Sequence, residues 1–104
     1  MSSSLFTVRA IALIRSIPLG KVTTYGTIAS MAGNRRAARQ VARLLHSSSR
    51  KERLPWHRVV NREGKISLAP QQGYENQKQL LENEGVTFDA SDRINLAMYL
   101  WHTD

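Results

Sequence analysis

The chain has 104 residues, enough for one domain with a modest hydrophobic core and too few for two. It contains no cysteine, which excludes disulfides, thiolate metal ligands and thiol catalysis. No apolar run approaches the roughly 18 residues of a membrane span. Because Arg9 and Arg15 interrupt the apolar N-terminal segment, we expect neither a signal peptide nor membrane association, and we expect a cytoplasmic protein, nucleoid-associated in a prokaryote.

The formal net charge of +7 is distributed unevenly along the chain. Residues 1–62 contain 12 Lys and Arg residues and one acidic residue, whereas residues 63–104 contain 3 and 7. Arginine supplies 11 of the 15 basic side chains, and its planar guanidinium suits phosphates and base edges. A one-sided positive field therefore favours nucleic acid as the partner. The alternative is a soluble basic protein whose charged face is only solvated.

The first half of the chain reads as three helices. Apolar residues at close to helical spacing predict a helix over residues 5–16. Thr24 is expected to cap a short helix over residues 27–31, with Gly33 ending it. A longer helix is expected to follow, with Asn34 as its cap. One face of that helix carries small and apolar side chains, and an arginine stripe is predicted beside it: Ala38, Val41, Ala42 and Leu45, then Arg36, Arg39 and Arg43.

A short helix, a tight turn and a longer helix with arginines form the outline of a helix-turn-helix. The structural alternative is an ordinary helical hairpin with arginines on its solvated side. Residues 47–54 are expected to be an exposed, charged linker. Residues 57–68 read as two extended segments around a turn, and a further amphipathic helix begins at Tyr74 and stops at Gly85. The tail after residue 86 is expected to pack on the core.

Residue chemistry alone does not indicate an enzyme. The histidines at 46, 57 and 102 are far apart and form no metal-binding motif, so no metal or other cofactor is expected. The serines at 47–49 lack the motif that exposes a nucleophile. Without further information, the run from His57 to Val60 reads as a core strand with a buried, hydrogen-bonded histidine and a surface arginine.

The stretch "PWHRVV", residues 55–60, resembles the PCHRV active-site motif of the O6-alkylguanine-DNA alkyltransferases, with tryptophan in place of the cysteine. Residues 20–42 resemble the helix-turn-helix of that family, and "LLENEGV", residues 80–86, resembles its Glu-Gly segment. The resemblance covers residues 5–86, and a PWHRV motif in a short chain is typical of the alkyltransferase-like proteins. It implies one domain over residues 1–104, mainly α with minor β, with a winged-helix-like DNA-binding fold.

The resemblance also implies a function. Such a protein binds O6-alkylguanine in double-stranded DNA from the minor groove and flips the nucleotide out of the duplex. It does not transfer the alkyl group, because an indole cannot replace a thiolate nucleophile. The lesion is then flagged for nucleotide excision repair proteins. We expect a monomer that acts without cofactors.

Residue roles follow from the same resemblance. Arg39 is the finger that enters the duplex in place of the flipped nucleotide. The lesion pocket is expected to consist of Tyr25, Leu45, Trp56 and Val59, and further DNA contacts are expected from Asn34, Arg36, Ala37, Ala38 and Arg43. His57 and Glu84 are expected to be the structural remnant of the activation relay.

Two features depart from the family pattern, and two alternative functions stay open. The loop at residues 67–73 differs from the family's binding loop, and its Pro70 lacks a backbone N–H. Ser48 replaces the asparagine that usually precedes the motif. The alternatives are a plain helix-turn-helix regulator that reads undamaged sequence through residues 37–46, and an enzyme that uses His57 and Glu84.

Overall fold

The structure, a computed structural model, describes residues 4–102. The helices are α1 (Leu5–Arg15), α2 (Tyr25–Met31), α3 (Ala38–Glu52), α4 (Tyr74–Asn83) and the short α5 (Leu96–Tyr99); a 3-10 helix covers Trp56–Arg58, and the strands are β1 (Thr23–Thr24) and β2 (Val59–Val60). This content confirms the prediction of a mainly α-helical fold with minor β structure.

The first two helices begin where hydroxyl caps satisfy their free N–H groups. Ser4 Oγ accepts a hydrogen bond from Thr7 N at 3.1 Å at the start of α1. Thr24 Oγ1 accepts one from Thr27 N at 3.0 Å at the start of α2. The Thr24 cap is therefore confirmed, and α2 begins at Tyr25, two residues before the predicted start.

The longer helix differs from its prediction at its beginning. Asn34 is not its cap: Ala37 occupies that position and makes no side-chain cap bond. Asn34 Oδ1 instead accepts from Arg36 N at 3.1 Å, and Ala37 N donates to Asn34 O at 3.0 Å, so Asn34 closes the turn before α3. Arg36 consequently lies in this turn and not on the helical stripe of Arg39.

The predicted linker at residues 47–54 is also wrong, because α3 continues to Glu52. Glu52 forms an ion pair with Arg15 of α1, with 2.9 Å between Oε1 and Nη2. Beyond the helix, Leu54 N donates to Ser49 O at 2.9 Å, and the Leu54 side chain is buried. These tertiary contacts hold a polar segment in helical form that has no apolar periodicity of its own.

The active-site-like motif is only partly extended. His57 lies in the 3-10 helix and not in a strand, and Val59 and Val60 then pair in parallel with Thr23 and Thr24. A second extended segment was expected near residue 66, but neither strand of residues 4–102 includes it. Lys65 is tied to Asn61 by two hydrogen bonds, Asn61 N to Lys65 O at 2.9 Å and Lys65 N to Asn61 Oδ1 at 3.0 Å. The chain therefore closes a turn there.

The two-stranded sheet lies between two buried clusters. Successive strand residues point to opposite faces, so Val59 belongs to the cluster formed with α1, α2 and α3, and Val60 to the cluster under α4. The first cluster includes Ile14, Ile28 and Val41. Side chains on both faces of β2 are thereby fixed, which gives the preceding Trp56–Arg58 segment a rigid anchor.

The C-terminal segment lies against the second cluster. Leu96 and Tyr99 pack on that cluster, and Trp101 N donates to Val22 O at 2.7 Å. Gly64 O accepts a hydrogen bond from Ile94 N at 2.8 Å. Gly64 itself has a φ of 80°, and a β-carbon at this position would collide with the Ile94 carbonyl. Residues 103 and 104 of the tail lie outside the described residues.

Candidate nucleic-acid interface

The helix-turn-helix presents arginine on its outer surface. Arg39 lies in the first turn of α3 and Arg43 one turn later, and both are exposed. Arg36 is exposed in the turn before the helix. Ala38 is half-buried, but Ala37 is 7% exposed and belongs to the first core cluster. The Ala37 side chain packs inward, and the assignment of Ala37 and Ala38 to the DNA-binding surface stays a prediction.

A cavity of about 770 Å³ opens beside this surface. It brings together four side chains that are distant in sequence: Tyr25, Leu45, Trp56 and Val59. The remaining wall comes from the second half of α3, from the loop at residues 67–73 and from the beginning of α4. These four residues are the ones that the resemblance assigned to a lesion pocket.

The loop that departs from the family pattern forms one side of the cavity. Ser67, Leu68, Gln72 and Gly73 contribute to the wall, whereas Pro70 does not. Leu68 is 39% exposed and approaches the backbone of Gly73 so closely that a β-carbon at Gly73 would contact its Cδ1. This side of the cavity therefore combines the apolar contact between Leu68 and Gly73 with the polar residues Ser67 and Gln72.

Trp56 is half-buried in the cavity wall. Its backbone N–H donates to Leu54 O at 2.8 Å, and its side chain packs against the first core cluster. The indole meets the His57 ring edge to face, with centroids 6.0 Å apart and planes at 83°. The indole is thus held by the first core cluster and by the His57 ring, while one part faces the cavity.

His57, Arg58 and Glu84 form a network directly behind Trp56. His57 Nε2 donates to Glu84 Oε2 at 2.7 Å, and Arg58 Nη2 donates to the same oxygen at 2.8 Å. Arg58 Nη1 also donates to Ile17 O at 2.8 Å, and Gly20 N donates to Glu84 Oε1 at 3.1 Å. The Arg58 side chain is 16% exposed, so the simple interpretation of a surface arginine is wrong.

Glu84 is held in its charged form by these donors. Burial by itself would raise the pKa of the Glu84 carboxyl, but hydrogen bonds from Arg58, His57 and Gly20 outweigh that effect and lower the pKa to about 2. The carboxylate therefore acts as a fixed negative charge that joins His57 and Arg58 of the motif to the backbone of Gly20.

Gln77 is a residue that the sequence did not single out. It is 3% exposed, and its Nε2 donates to the carbonyl oxygens of His57 at 3.0 Å and Val59 at 3.1 Å. The amide fixes the backbone on both sides of Arg58 and also lines the cavity. Its position four residues before the buried Leu81 on α4 was the available signal that it faces inward.

The residues that the sequence assigned to DNA contact on α3 and in the preceding turn lie apart from the cavity wall. Arg39, Arg43, Asn34 and Arg36 do not contribute to its wall, whereas Arg50 and Arg53, which the sequence did not single out, do. Continuing the helical spacing of Leu45 past the predicted helix end would have placed later residues of α3 on this side. Among residues 4–102, no group of three His, Asp or Glu side chains could hold a metal ion, and no helix is long and apolar enough to cross a membrane.

Comparison with known proteins gives concordant matches. The family described as "6-O-methylguanine DNA methyltransferase, DNA binding domain" matches residues 5–86. A "DNA base-flipping protein" of Escherichia coli (strain K12) is 47% identical over 90 residues, which cover 86% of this chain and 69% of that protein. "Alkyltransferase-like protein 1" of Schizosaccharomyces pombe is 40% identical over 90 residues, which cover 82% and 83%. A crystal structure of S. pombe Atl1 in complex with damaged DNA containing O6-carboxymethylguanine is similar, with a TM-score of 0.83 at 35% identity, covering 99% of this chain and 100% of that chain.

Proposed function

The chain belongs to the alkyltransferase-like proteins, which share the DNA-binding domain of the 6-O-methylguanine DNA methyltransferases, and on this premise we propose that it senses O6-alkylguanine in duplex DNA. It binds the minor groove through α2 and α3, flips the altered nucleotide into the cavity and leaves the alkyl group in place. The observation that carries the proposal is the indole of Trp56 in the wall of that cavity, in a chain without cysteine.

The groups around the cavity support the absence of transfer chemistry. Alkyl transfer needs a thiolate, or a comparable nucleophile, close to the alkyl carbon. Trp56 supplies an indole, which has no free nucleophilic lone pair at neutral pH. His57 and Glu84, which would activate a thiol, are bonded to each other and to Arg58. The network therefore has a positioning role behind the indole and no proton to remove.

Nucleotide flipping is supported by the separation of the exposed Arg39 from the cavity. Extrusion of a nucleotide costs a few kcal/mol, which must be recovered by filling the gap and by new contacts for the base. Arg39, exposed in the first turn of α3, provides a long side chain to fill the gap. Tyr25 and Trp56 provide aromatic surfaces in the cavity, and base–aromatic contacts contribute about 1–3 kcal/mol in single-stranded sites.

The biological consequence of binding without repair is that a second party must remove the lesion. We propose that this monomer marks the lesion for nucleotide excision repair proteins. That part of the proposal is supported by the family resemblance. The acidic C-terminal segment, with 7 acidic and 3 basic residues from 63 to 104, leaves part of the molecule unsuited to contact with DNA phosphates and available to a protein partner.

The test is equilibrium binding, at one stated salt concentration, to two duplexes that differ only in a single O6-methylguanine. The DNA is then recovered and its mass determined. We expect tighter binding to the altered duplex with the methyl group retained, and Trp56→Ala should reduce that preference without weakening binding to the unaltered duplex. Equal binding to both duplexes would instead indicate a plain helix-turn-helix regulator, and loss of the methyl group would indicate an enzyme.

A further inference from the structure

The exposed arginines of the helix-turn-helix have a neighbour on α1. Arg9 lies in the second turn of that helix and is exposed. Its guanidinium reaches the turn that joins α2 to α3, because a β-carbon at Gly33 would lie only 3.3 Å from Arg9 Nη1. Gly33 has no side chain, and the guanidinium occupies space that a side chain at this position would take. Arg9 is therefore placed beside the turn that carries Arg35 and Arg36.

The turn beside Arg9 has a fixed position relative to α2 and leads directly into α3. Gly33 N donates to Ser30 O at 3.1 Å, and Asn34 N donates to Ala29 O at 2.9 Å. These bonds tie the turn to the end of α2 through backbone groups alone. A guanidinium held beside Gly33 therefore also has a defined position relative to the first turn of α3.

The arginines around this turn have no ionic partner in the described part of the chain; they are Arg9, Arg35 and Arg36. Residues 4–62 contain a single acidic side chain, Glu52, and its carboxylate is paired with Arg15 at 2.9 Å. The other salt bridges involve other residues. Like charges that lie together without a counter-charge repel each other, and a bound polyanion relieves that repulsion. The charge of this turn therefore favours an anionic partner.

The proposed binding mode brings one DNA strand to this turn. The minor groove is about 6 Å wide, and the phosphates of both strands border it. Arg39 lies in the first turn of α3, only a few residues after Gly33, and enters the duplex from the groove in that mode. A strand that borders the groove at the beginning of α3 therefore passes the turn and the guanidinium of Arg9.

We propose that α1 is part of the DNA interface and that Arg9 binds a backbone phosphate of the strand that passes the turn. The inference rests on the proposed function, because it adds a contact to the same complex. A guanidinium binds a phosphate through charge-assisted and often paired hydrogen bonds. Phosphate contacts fix the orientation of a protein on the duplex without reading its bases. Arg9 is thus a positioning residue that holds the beginning of α3, and Arg39 with it, in the groove.

A simpler role for Arg9 is stabilisation of the end of α2, since cations favour the negative C-terminal end of a helix dipole. The last carbonyl groups of that helix already have partners, because those of Ile28, Ala29 and Ser30 accept bonds from backbone N–H groups. The two roles predict different losses for Arg9→Gln: a loss of affinity for DNA in one case, and a lower unfolding temperature in the other.

The first experiment measures affinity against salt concentration for two duplexes that differ only in one O6-methylguanine. We expect Arg9→Gln to weaken binding to both duplexes by about two- to fivefold, and the ratio of the two affinities should not change. The plot of log K against log salt concentration should become less steep by about one. Arg9→Lys should keep the slope, because an ammonium group also neutralises one phosphate.

The matched control is Arg15→Gln. Arg15 is exposed on the same helix, but its charge is already paired with Glu52. The variant loses the same formal charge and should keep both affinities and the slope. Circular dichroism should show that all variants are folded, with the unfolding temperature of Arg9→Gln equal to that of the unaltered protein.

The second experiment locates the phosphate. A single uncharged methylphosphonate is moved along both strands of the duplex that contains O6-methylguanine. We expect one position at which this substitution weakens binding of the unaltered protein but not of Arg9→Gln, because a contact that is already lost cannot be lost again. Arg15→Gln should respond as the unaltered protein does at every position.

Three results would overturn the inference. If Arg9→Gln and Arg15→Gln flatten the slope equally and keep every methylphosphonate effect, net charge governs the attraction and not a contact on α1. If Arg9→Gln binds DNA normally and unfolds at a lower temperature, Arg9 serves only the end of α2. If it lowers only the preference for O6-methylguanine, Arg9 acts on the lesion and not on a phosphate.

Failure of the proposed sensing function has a different signature. The unaltered protein would then bind both duplexes equally. The slopes measured on the unaltered duplex do not depend on lesion recognition, so they would still decide whether Arg9 contacts the DNA backbone.

Discussion

At the residue scale, Glu84 connects the motif to two other parts of the chain. Its carboxylate accepts hydrogen bonds from His57 and Arg58 on one side and from Gly20 on the other. The Glu84 side chain is 12% exposed, so little water is present to replace a lost donor. Breaking a buried charge network costs more than its net contribution, because the remaining charge keeps its desolvation penalty. Glu84 should therefore matter for stability even though no proton transfer requires it.

The first prediction is that Glu84→Gln destabilises the fold in a pH-dependent way. The folded-state pKa of about 2 lies below the usual value of 4.5, so the stabilisation is complete above pH 4.5 and is lost as the pH falls toward 2. A shift of this size corresponds to about 3 kcal/mol at neutral pH. Urea denaturation at several pH values should show the difference between variant and unaltered protein shrinking on acidification. The exposed Glu63→Gln is the control, and a pH-independent difference would contradict the prediction.

A second prediction at this scale concerns Arg39, whose side chain is exposed and lies outside the cavity wall. Arg39→Ala should lower the preference for an O6-methylguanine duplex over the unaltered duplex by about tenfold or more, because the gap left by a flipped nucleotide costs a few kcal/mol. Arg62→Ala removes an equal charge from an exposed turn and should change both affinities little. Equal losses on both duplexes for Arg39→Ala would assign this arginine to phosphate contact only.

At the element scale, two neighbouring threonines contribute differently to stability, Thr23 within β1 and Thr24 at the start of α2. Thr23 is fully buried in β1, and its Oγ1 has no hydrogen-bond partner in the described part of the chain. Thr24 Oγ1 caps α2 by accepting from Thr27 N at 3.0 Å and also lies 2.7 Å from Thr27 Oγ1. The same side chain is therefore an unsatisfied polar group at one position and a helix cap at the next.

The third prediction follows from this pair. Thr23→Val should stabilise the protein by about 1 kcal/mol, because it removes an unsatisfied hydroxyl while keeping the shape. Thr24→Val should destabilise it by about 1 kcal/mol, because the α2 cap is lost. Thermal unfolding measured by circular dichroism should give shifts of opposite sign. Destabilisation by both changes would mean that Thr23 has a partner after all, such as a buried water.

The elements that the sequence predicted well have local causes. The helices α1 and α2 begin at hydroxyl caps, and α4 combines an apolar face with Gly85 just after its end. The end of α3 could not be predicted, because the contacts that accompany it, the Arg15–Glu52 pair and the burial of Leu54, are tertiary. The prediction that Asn34 caps α3 was wrong for a related reason, because asparagine is favourable in turns as well as at helix caps.

The same contrast between local and tertiary causes applies to the candidate site. Tyr25, Leu45, Trp56 and Val59 could be assigned because motif resemblance carries positions that no local rule supplies. Gln77 could not be assigned, since its role depends on how α4 meets the 3-10 helix. Arg50 and Arg53 could not be assigned to the cavity for the same reason that the end of α3 could not be predicted. Side chains that reach the cavity only after helix extension and docking have no signal in a linear pattern.

At the scale of the whole molecule, the basic and the acidic parts of the sequence have different structural roles. The basic residues of 1–62 include the exposed arginines of α3 and of the preceding turn, and the acidic residues concentrate in 63–104. The β1–β2 pair joins the two parts by placing Val59 in one buried cluster and Val60 in the other. Contact with the DNA backbone should therefore be confined to the basic part, while the acidic part contributes the loop at 67–73 and the beginning of α4 to the cavity wall.

This division gives the fourth prediction, which concerns the salt dependence of binding to undamaged duplex DNA. Each phosphate neutralised contributes a slope of about −0.9 to a plot of log K against log salt concentration. Arg43, exposed one turn after Arg39 on α3, should contact one phosphate, so Arg43→Gln should make the slope less steep by about one. Arg93→Gln removes the same charge from the acidic segment, where Arg93 is exposed, and should leave the slope unchanged. Equal slopes for both variants would show that net charge, and not the placement of α3 on the backbone, governs the attraction to DNA.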